Sequence, residues 1–127
     1  MKITTFDPLI VTPNAADVIK VFEELGFEKK HAPVTKTETG EVESVRLKDE
    51  NGFHVDVAGV TSTPTDLTYI RMNVDNFEEA YNLLVEHGFK NARNNDTISE
   101  DSTGKGVGMI APSGFIIAVG QHIKKED

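Results

Sequence analysis

An internal repeat constrains this chain more than any other feature. Leu25-Gly26-Phe27 returns as His87-Gly88-Phe89, at an offset of 62 residues. The same offset also pairs Asn14 with Asn76, Glu24 with Glu86, Val45 with Val107, Gly52 with Gly114, Phe53 with Phe115 and Val57 with Val119. The matches fall where a glycine ends a helix or turns a hairpin, and no insertion separates them. The chain is therefore predicted to be two copies of one unit.

Size and composition indicate one soluble domain. Halves of about 60 residues are marginal alone, so the two units of this 127-residue chain are expected to share a core or to pair with a second chain. We assign a single domain to residues 1–127, with unit one at 1–60, a linker at 61–66 and unit two at 67–123. Hydrophobic residues make up 38% of the chain, and we find neither a membrane-spanning run nor a signal pattern, so a cytoplasmic protein is expected.

Charge and cysteine content exclude several classes of function. The net charge of −8 argues against nucleic acid as a partner, because that partner requires a basic surface. The chain has no cysteine, which excludes disulfides, thiolate metal sites and a thiol nucleophile.

The apolar pattern predicts the same order of elements in each unit: a strand, a helix and three strands. In unit one we predict a strand at residues 2–12, a helix from Asn14 to Gly26, and strands at 27–34, 42–48 and 53–60. Residues 35–41 are predicted to be a loop. In unit two we predict a strand at 67–74, a helix ending at Gly88, a strand from Phe89, and a hairpin of residues 107–111 and 115–123. The polar residues 97–106 are predicted to be flexible, as in a lid.

Two tandem units of this kind, with a helix ending in Leu25-Gly26-Phe27 and a last strand introduced by Pro112-Ser113-Gly114-Phe115, resemble the vicinal oxygen chelate superfamily. That superfamily contains glyoxalase I, bleomycin resistance proteins and extradiol dioxygenases. The resemblance implies an α+β fold of two βαβββ units forming a cup-shaped mixed sheet, with helices outside and a ligand cavity within. It also implies a homodimer.

The resemblance further implies where a divalent metal would bind. Its ligand positions, a His on the first strand and a carboxylate on the last strand of each unit, fall on Asp7, Tyr69, Asp56 and Ala118. Most of the donor set is missing, so we expect no metal cofactor. His54 lies two residues from Asp56 on the same strand face, which favours a hydrogen-bonded or solvated pair over a metal site.

If the helices cover the face that carries Val55, Val57, Ile70, Met72, Ile117 and Val119, the other face lines the cup. The ligand-binding candidates on that face are Leu9, Arg46, His54, Asp56, Tyr69, Arg71, Asn73 and Ile116. Arg71 on a central strand needs a partner, which is an internal carboxylate such as Asp56, an anionic ligand or an oligomer contact.

Three functions remain open from the sequence. The first, which we favour, is a metal-free protein that binds a small molecule, with Arg71 and Tyr69 holding its polar end. The second is a lyase, isomerase or dioxygenase that uses a divalent metal at Asp7 and Asp56. The third is a non-catalytic interaction module whose pocket is filled by its own side chains.

Overall fold

The computed structural model describes residues 1–31, 34–37, 40–60, 65–93, 98–101 and 104–122. The chain forms two compact units. The amino-terminal unit is Asp7–Thr68, and the carboxy-terminal unit combines Met1–Phe6 with Tyr69–Asp127. The first residues join the second unit through Asp75, whose backbone N–H donates to the Lys2 carbonyl at 3.0 Å. The single domain with a linker at 61–66 stays a prediction, and residues 61–64 lie outside the described residues.

The elements that begin in the first half of the chain are β1 (Ile3–Thr12), α1 (Ala15–Glu24), β2 (Glu28–His31), β3 (Val34–Thr37), β4 (Gly40–Lys48) and β5 (His54–Gly59). Residues 7–12 of β1 belong to the amino-terminal unit. The strand order in this unit is β2-β4-β5-β1, and β3 pairs with β4. Strands β4 and β5 form an antiparallel hairpin, whereas β1 runs parallel to β5, so the sheet is mixed.

The remaining elements are β6 (Leu67–Val74), α2 (Phe77–Glu86), β7 (Lys90–Asn91), β8 (Ser99–Asp101), β9 (Gly104–Ile110) and β10 (Ile116–His122). The strand order in the carboxy-terminal unit is β6-β10-β9-β7, and β8 pairs with β9. Strand β10 is antiparallel to β9 and parallel to β6. Each element thus has a counterpart in the other unit.

Strand pairing follows the repeat residue by residue. In the parallel pair of the first unit Leu9 lies opposite Asp56, and in that of the second unit Arg71 lies opposite Ala118. Both residues of the second pair are offset by 62 from those of the first. The predicted α+β fold of two tandem βαβββ units is confirmed, with β3 and β8 as a further short strand in each unit.

Those two short strands correct the predicted loops. Residues 35–41 were expected to be a loop, but Val34–Thr37 pairs with β4. Residues 97–106 were expected to be flexible or a lid, but Ser99–Asp101 pairs with β9, and Gly104 begins β9 itself. Residues 97, 102 and 103 of that stretch lie outside the described residues. Both short strands are polar, so pairing with a longer neighbour and not their own apolar pattern defines them.

Each helix packs on one face of its own sheet. In the amino-terminal unit Ile19 of α1 is buried with Val45, Leu47, Val55 and Val57. Partly buried side chains complete this core at Ile10, Ala15, Val18, Phe22 and Phe27. Of the apolar stripe predicted for this helix, Val18, Ile19 and Phe22 face the sheet. The other two residues of the predicted stripe, Val21 and Leu25, are 54% and 68% exposed, so that part of the prediction is wrong.

In the carboxy-terminal unit α2 buries Phe77 and Ala80 against Met72, Met109 and Val119. Burial of a side chain as large as Phe77, which is 1% exposed, contributes about 1.5–3 kcal/mol. Partly buried Val107 and Ile117 pack on the same cluster. The face of β6, β9 and β10 that bears these residues is therefore closed by the helix.

The two helices begin differently. Asn76 caps α2, because its side chain accepts from the Glu79 N–H at 3.2 Å. Asn14, predicted to cap α1, makes no side-chain cap bond, and its own N–H donates to the Thr12 hydroxyl at 2.9 Å. Neither of these described helices has the length and apolar content to span a bilayer.

Candidate functional site

The candidate site lies on the sheet face of the carboxy-terminal unit that α2 does not cover. Met72 on β6 and Val119 on β10 point into the helix-facing core. Side chains alternate across a strand, so Arg71 and Asn73, the neighbours of Met72, point to the other face. The same alternation places Gly106, Gly108, Ala118 and Gly120 on that face.

That face bounds a cavity of about 330 Å³. The cavity is lined by Arg71, Asn73, Arg93, Ser99, Gly104, Lys105, Gly106, Val107, Gly108, Ala118, Val119, Gly120, Gln121 and His122. Its volume is within the range of about 300–1,000 Å³ that is usual for small-molecule pockets. These described lining residues include no Asp or Glu, although the chain carries a net charge of −8. The cavity is therefore locally cationic in an acidic protein.

Two of the polar lining residues turn their side chains away from the cavity. Lys105 Nζ lies 3.3 Å from Glu78 Oε1 and 5.4 Å from the centre of the Phe77 ring, which belongs to the helix side. The Gln121 amide accepts from the Phe77 N–H and donates to the Asp75 carbonyl. These two residues contribute backbone and not charge to the cavity.

The bottom of the cavity is almost free of side chains. In the antiparallel pair of β9 and β10, Gly108 lies opposite Ala118 and Gly106 lies opposite Gly120. We call Gly104, Gly106, Gly108, Ala118 and Gly120 the glycine floor. Glycine weakens a strand interior, and where it occurs there it often marks a place where a ligand or another backbone approaches closely.

Asn73 is buried beside the floor. The residue is 3% exposed, and within the described residues no group accepts a hydrogen bond from its Nδ2 atom. Its partner across the β6–β10 pair is Gly120, where an added Cβ would lie 2.7 Å from Asn73 Oδ1. The absence of a side chain at Gly120 therefore makes room for the Asn73 amide.

Two arginines lie on opposite sides of the floor. Arg71 is half-buried on β6, the strand next to β10. Beyond β9, Arg93 Nη2 donates to the Ser99 hydroxyl at 2.9 Å, and Ser99 lies opposite Gly106 in the β8–β9 pair. The order across the sheet is therefore Arg71, the floor, then Arg93 with Ser99.

The equivalent face of the amino-terminal unit has different chemistry. At the positions that match Gly108 and Ala118 it carries Arg46 and Asp56, whose side chains form two hydrogen bonds of 2.9 and 3.0 Å. Asp56 is 3% exposed, and buried Asp7 contributes further negative charge. The hydrogen bond to Asp56 raises the pKa of Arg46, against the opposing effect of burial, so the guanidinium stays charged. An ion pair thus occupies the place of the glycine floor.

Solved structures share the fold of this chain. A glyoxalase/bleomycin resistance protein/dioxygenase superfamily member from Vibrio splendidus 12B01 matches 96% of this chain with 100% of its own, with a TM-score of 0.62 and 18% identity. The chain has the glyoxalase-like fold of the vicinal oxygen chelate proteins. An uncharacterized protein from Methanosarcina mazei is also similar, with a TM-score of 0.62 and 17% identity over 100% of this chain and 98% of its own.

Glyoxalase I from Zea mays superposes with a TM-score of 0.67 and 11% identity over 98% of this chain. Only 45% of the maize chain takes part, so the present chain spans less than half of it. No protein-family model matches the sequence, and a comparison with curated proteins also finds no match. These superpositions show a glyoxalase-like fold, and at such low identities they show no more than the fold. The function therefore has to be argued from the site.

Three of the four residues at the predicted metal-ligand positions are poor donors for a metal ion. Arg46 holds both carboxylate oxygens of Asp56, and Ala118 has no donor atom. Burial raises the pKa of the Tyr69 phenol, which keeps it protonated and a poor ligand at neutral pH. Catalytic zinc sites use about three protein ligands, and among the described residues no group of three His, Asp or Glu side chains is placed to hold an ion.

The structure separates the predicted ligand-binding residues into two groups. Arg71 and Asn73 line the cavity, whereas Tyr69 and Ile116 belong to the same unit without lining it. The other predicted residues lie in the amino-terminal unit, namely Leu9, Arg46, His54 and Asp56. Of these, Arg46 and Asp56 bind each other, and His54 is half-buried at the start of β5.

Sequence reasoning missed Arg93, Ser99 and the glycine floor. The floor had a visible signal, since Gly104, Gly106 and Gly108 alternate along one strand with period two. From the sequence, Gly104-Lys105-Gly106 is predicted to be flexible, because it lacks the preceding strand and the following helix of a phosphate-binding loop. Arg93 and Ser99 had no signal, because their approach depends on β7 and β8 pairing with the same strand, β9.

Proposed function

We propose that this protein binds a small anionic molecule in the cavity of its carboxy-terminal unit, without a metal ion. The observation that carries the proposal is the composition of the cavity wall. Two guanidinium groups and the Asn73 amide border a floor of glycine and alanine, and no carboxylate is among the described lining residues. An anion is the ligand that such donors recognise most directly.

Arginine suits this role for geometric reasons. A guanidinium is planar, stays charged at any physiological pH and presents five N–H donors, so it binds a carboxylate through two parallel hydrogen bonds. Because it has five donors, Arg71 can engage a ligand and keep a protein contact at the same time. Half-burial of Arg71 strengthens such a contact relative to one on the open surface.

The contrast between the two units supports a single binding site in each chain. In the amino-terminal unit Arg46 already has a carboxylate partner in Asp56, which fills the equivalent face. In the carboxy-terminal unit Gly108 and Ala118 replace that pair and leave space above the strands. An interaction module that fills its own pocket would resemble the first unit and not the second.

A metal-dependent lyase, isomerase or dioxygenase is the alternative function, and the donor set described above does not favour it. Elemental analysis of protein purified without chelators distinguishes the two functions. We expect much less than one equivalent of divalent metal per chain. A homodimer and a cytoplasmic location stay predictions, and light scattering tests the first of them.

Benzoate, a small monocarboxylate, is a suitable probe of the proposed site. In an NMR titration we expect wild-type protein to bind benzoate and the Arg71→Ala variant to bind it about ten- to a hundredfold more weakly, since a charge-assisted hydrogen bond contributes about 1.5–3 kcal/mol. Lys90→Ala is the matched control, because it removes the same charge from an exposed residue outside the cavity. Equal weakening by both variants, or no binding to wild type, would contradict the proposal.

A further inference from the structure

The shape of the cavity restricts its ligand further than its charge does. A flat floor and two separated cationic walls are independent features, and each of them selects for a different property of the ligand. The inference below rests on the proposed function, since it concerns the class of anion that the same cavity binds.

The floor favours a flat ligand. Gly106, Gly108, Ala118 and Gly120 form two opposed pairs on adjacent strands, and the largest side chain that these four residues carry is the methyl group of Ala118. The Asn73 amide lies against Gly120, so the open part of the floor is Gly106, Gly108 and Ala118. Adjacent strands lie about 4.8 Å apart, and residues on one face of a strand recur about every 6.8 Å, so the floor is wide enough for an aromatic ring. A planar molecule lying over Gly106, Gly108 and Ala118 contacts mainly backbone, whereas a puckered one touches the floor at a few atoms.

The two walls favour a ligand that carries an anionic group at each end. Strand β6 carries Arg71, and strand β8 carries Ser99, which holds Arg93. Three strand spacings, from β6 through β10 and β9 to β8, separate these walls by about 14 Å between backbones. Two arginine side chains that extend inward over such a distance leave a gap of about the length of one small ring with its substituents.

The two walls lie within one residue pair of each other along the strands. Arg71 is paired with Ala118, and Ala118 lies opposite Gly108. On the other side, the Ala92 N–H donates to the Gly108 carbonyl at 2.8 Å, and Ser99 lies opposite Gly106. These two contacts bring Arg93 to the same end of the floor. A line from one guanidinium to the other therefore crosses the floor and does not run along it.

From this geometry we propose that the cavity binds a planar molecule with an anionic group at each of two opposite ends, such as an aromatic dicarboxylate. One anionic end binds Arg71 and the other binds Arg93, while the flat centre lies on the glycine floor. The Ser99 hydroxyl accepts from Arg93 and so holds that guanidinium in place before the ligand arrives.

Three probes test the two selections separately: terephthalate, benzoate and trans-cyclohexane-1,4-dicarboxylate. Terephthalate is flat and has two carboxylates, benzoate is flat and has one, and the cyclohexane compound has two on a puckered ring. We expect terephthalate to bind at least tenfold more tightly than either of the others, as measured by NMR titration. If terephthalate binds less than tenfold more tightly than benzoate, the two-ended site is wrong. If it binds less than tenfold more tightly than the cyclohexane compound, the preference for a flat ligand is wrong.

Arg93→Ala tests the second wall. This substitution is expected to reduce the affinity ratio of terephthalate to benzoate to less than threefold, while the Lys90→Ala control keeps the ratio at tenfold or more. A ratio that survives in Arg93→Ala would overturn the assignment of Arg93. Benzoate binding with no advantage for terephthalate leaves the proposed function standing and overturns this inference alone, whereas absence of binding by every probe contradicts both.

Discussion

At the residue scale, the pair of Asn73 and Gly120 shows how the second unit departs from the first. Their equivalents are Val11 and Ala58, which also lie opposite each other in a parallel strand pair. In the second unit the longer, polar side chain of Asn73 is accompanied by the loss of a methyl group at Gly120, where a Cβ would lie 2.7 Å from the amide oxygen. The two positions are therefore coupled by contact.

A double-mutant cycle tests that coupling. Gly120→Ala should lower the free energy of unfolding by about 1–2 kcal/mol, because the new methyl group overlaps the Asn73 amide. Asn73→Val should raise it by about 1 kcal/mol, since it removes a buried donor that lacks an acceptor among the described residues. In the Asn73→Val background Gly120→Ala should cost less than about 0.5 kcal/mol.

Urea denaturation of the four proteins in the cycle provides these free energies. The double variant reproduces the Val11 and Ala58 pair of the first unit, so it is expected to fold. If Gly120→Ala lowers the free energy of unfolding equally in both backgrounds, the new methyl group does not contact the Asn73 amide.

At the scale of elements, the hairpin of β9 and β10 supplies most of the site. Gly104 begins β9 with a φ of 151° and is buried, and a Cβ there would meet the Gln121 carbonyl oxygen. Gly114 in the hairpin turn also has a positive φ, of 106°, but nothing lies within 4 Å of its Cβ position. A substitution at Gly114 therefore tests backbone conformation alone, whereas a substitution at Gly104 also tests the close contact with β10.

We therefore predict different costs for the two alanine substitutions. Gly114→Ala should lower the free energy of unfolding by about 1–2 kcal/mol, which is the usual penalty for a left-handed conformation. Gly104→Ala should cost at least about 1 kcal/mol more, because β9 and β10 must also move apart. Thermal or urea unfolding measures both, and equal costs would contradict the packing of Gly104 against β10.

The elements that sequence could predict are those with their own apolar period or glycine boundary. Both helices, their glycine ends and the hairpins of β4–β5 and β9–β10 belong to this group, because the local chain encodes them. The strand Ser99–Asp101 has no such period, and its pairing with β9 defines it. The same difference explains why Arg71 and Asn73 were found from alternation in β6, whereas Arg93 was not.

At the scale of the whole molecule, the two units share a strand order and differ in one face. The first unit closes that face with the Arg46–Asp56 ion pair, and the second opens it with glycine. A net charge of −8 repels anions at long range, so the proposed binding would rely on the local guanidinium groups. Salt screens the repulsion, and the half-buried contact at Arg71 is screened less.

The most direct test of this account is to locate a bound anion by NMR. Isotope-labelled protein is titrated with benzoate, and the backbone amide shifts are assigned to residues. The account predicts that the largest shifts fall on Gly106, Gly108 and Gly120 and that those of Arg46 and Asp56 stay small. Largest shifts at Arg46 and Asp56, or shifts of equal size in the two units, would contradict a single anion site in the carboxy-terminal unit.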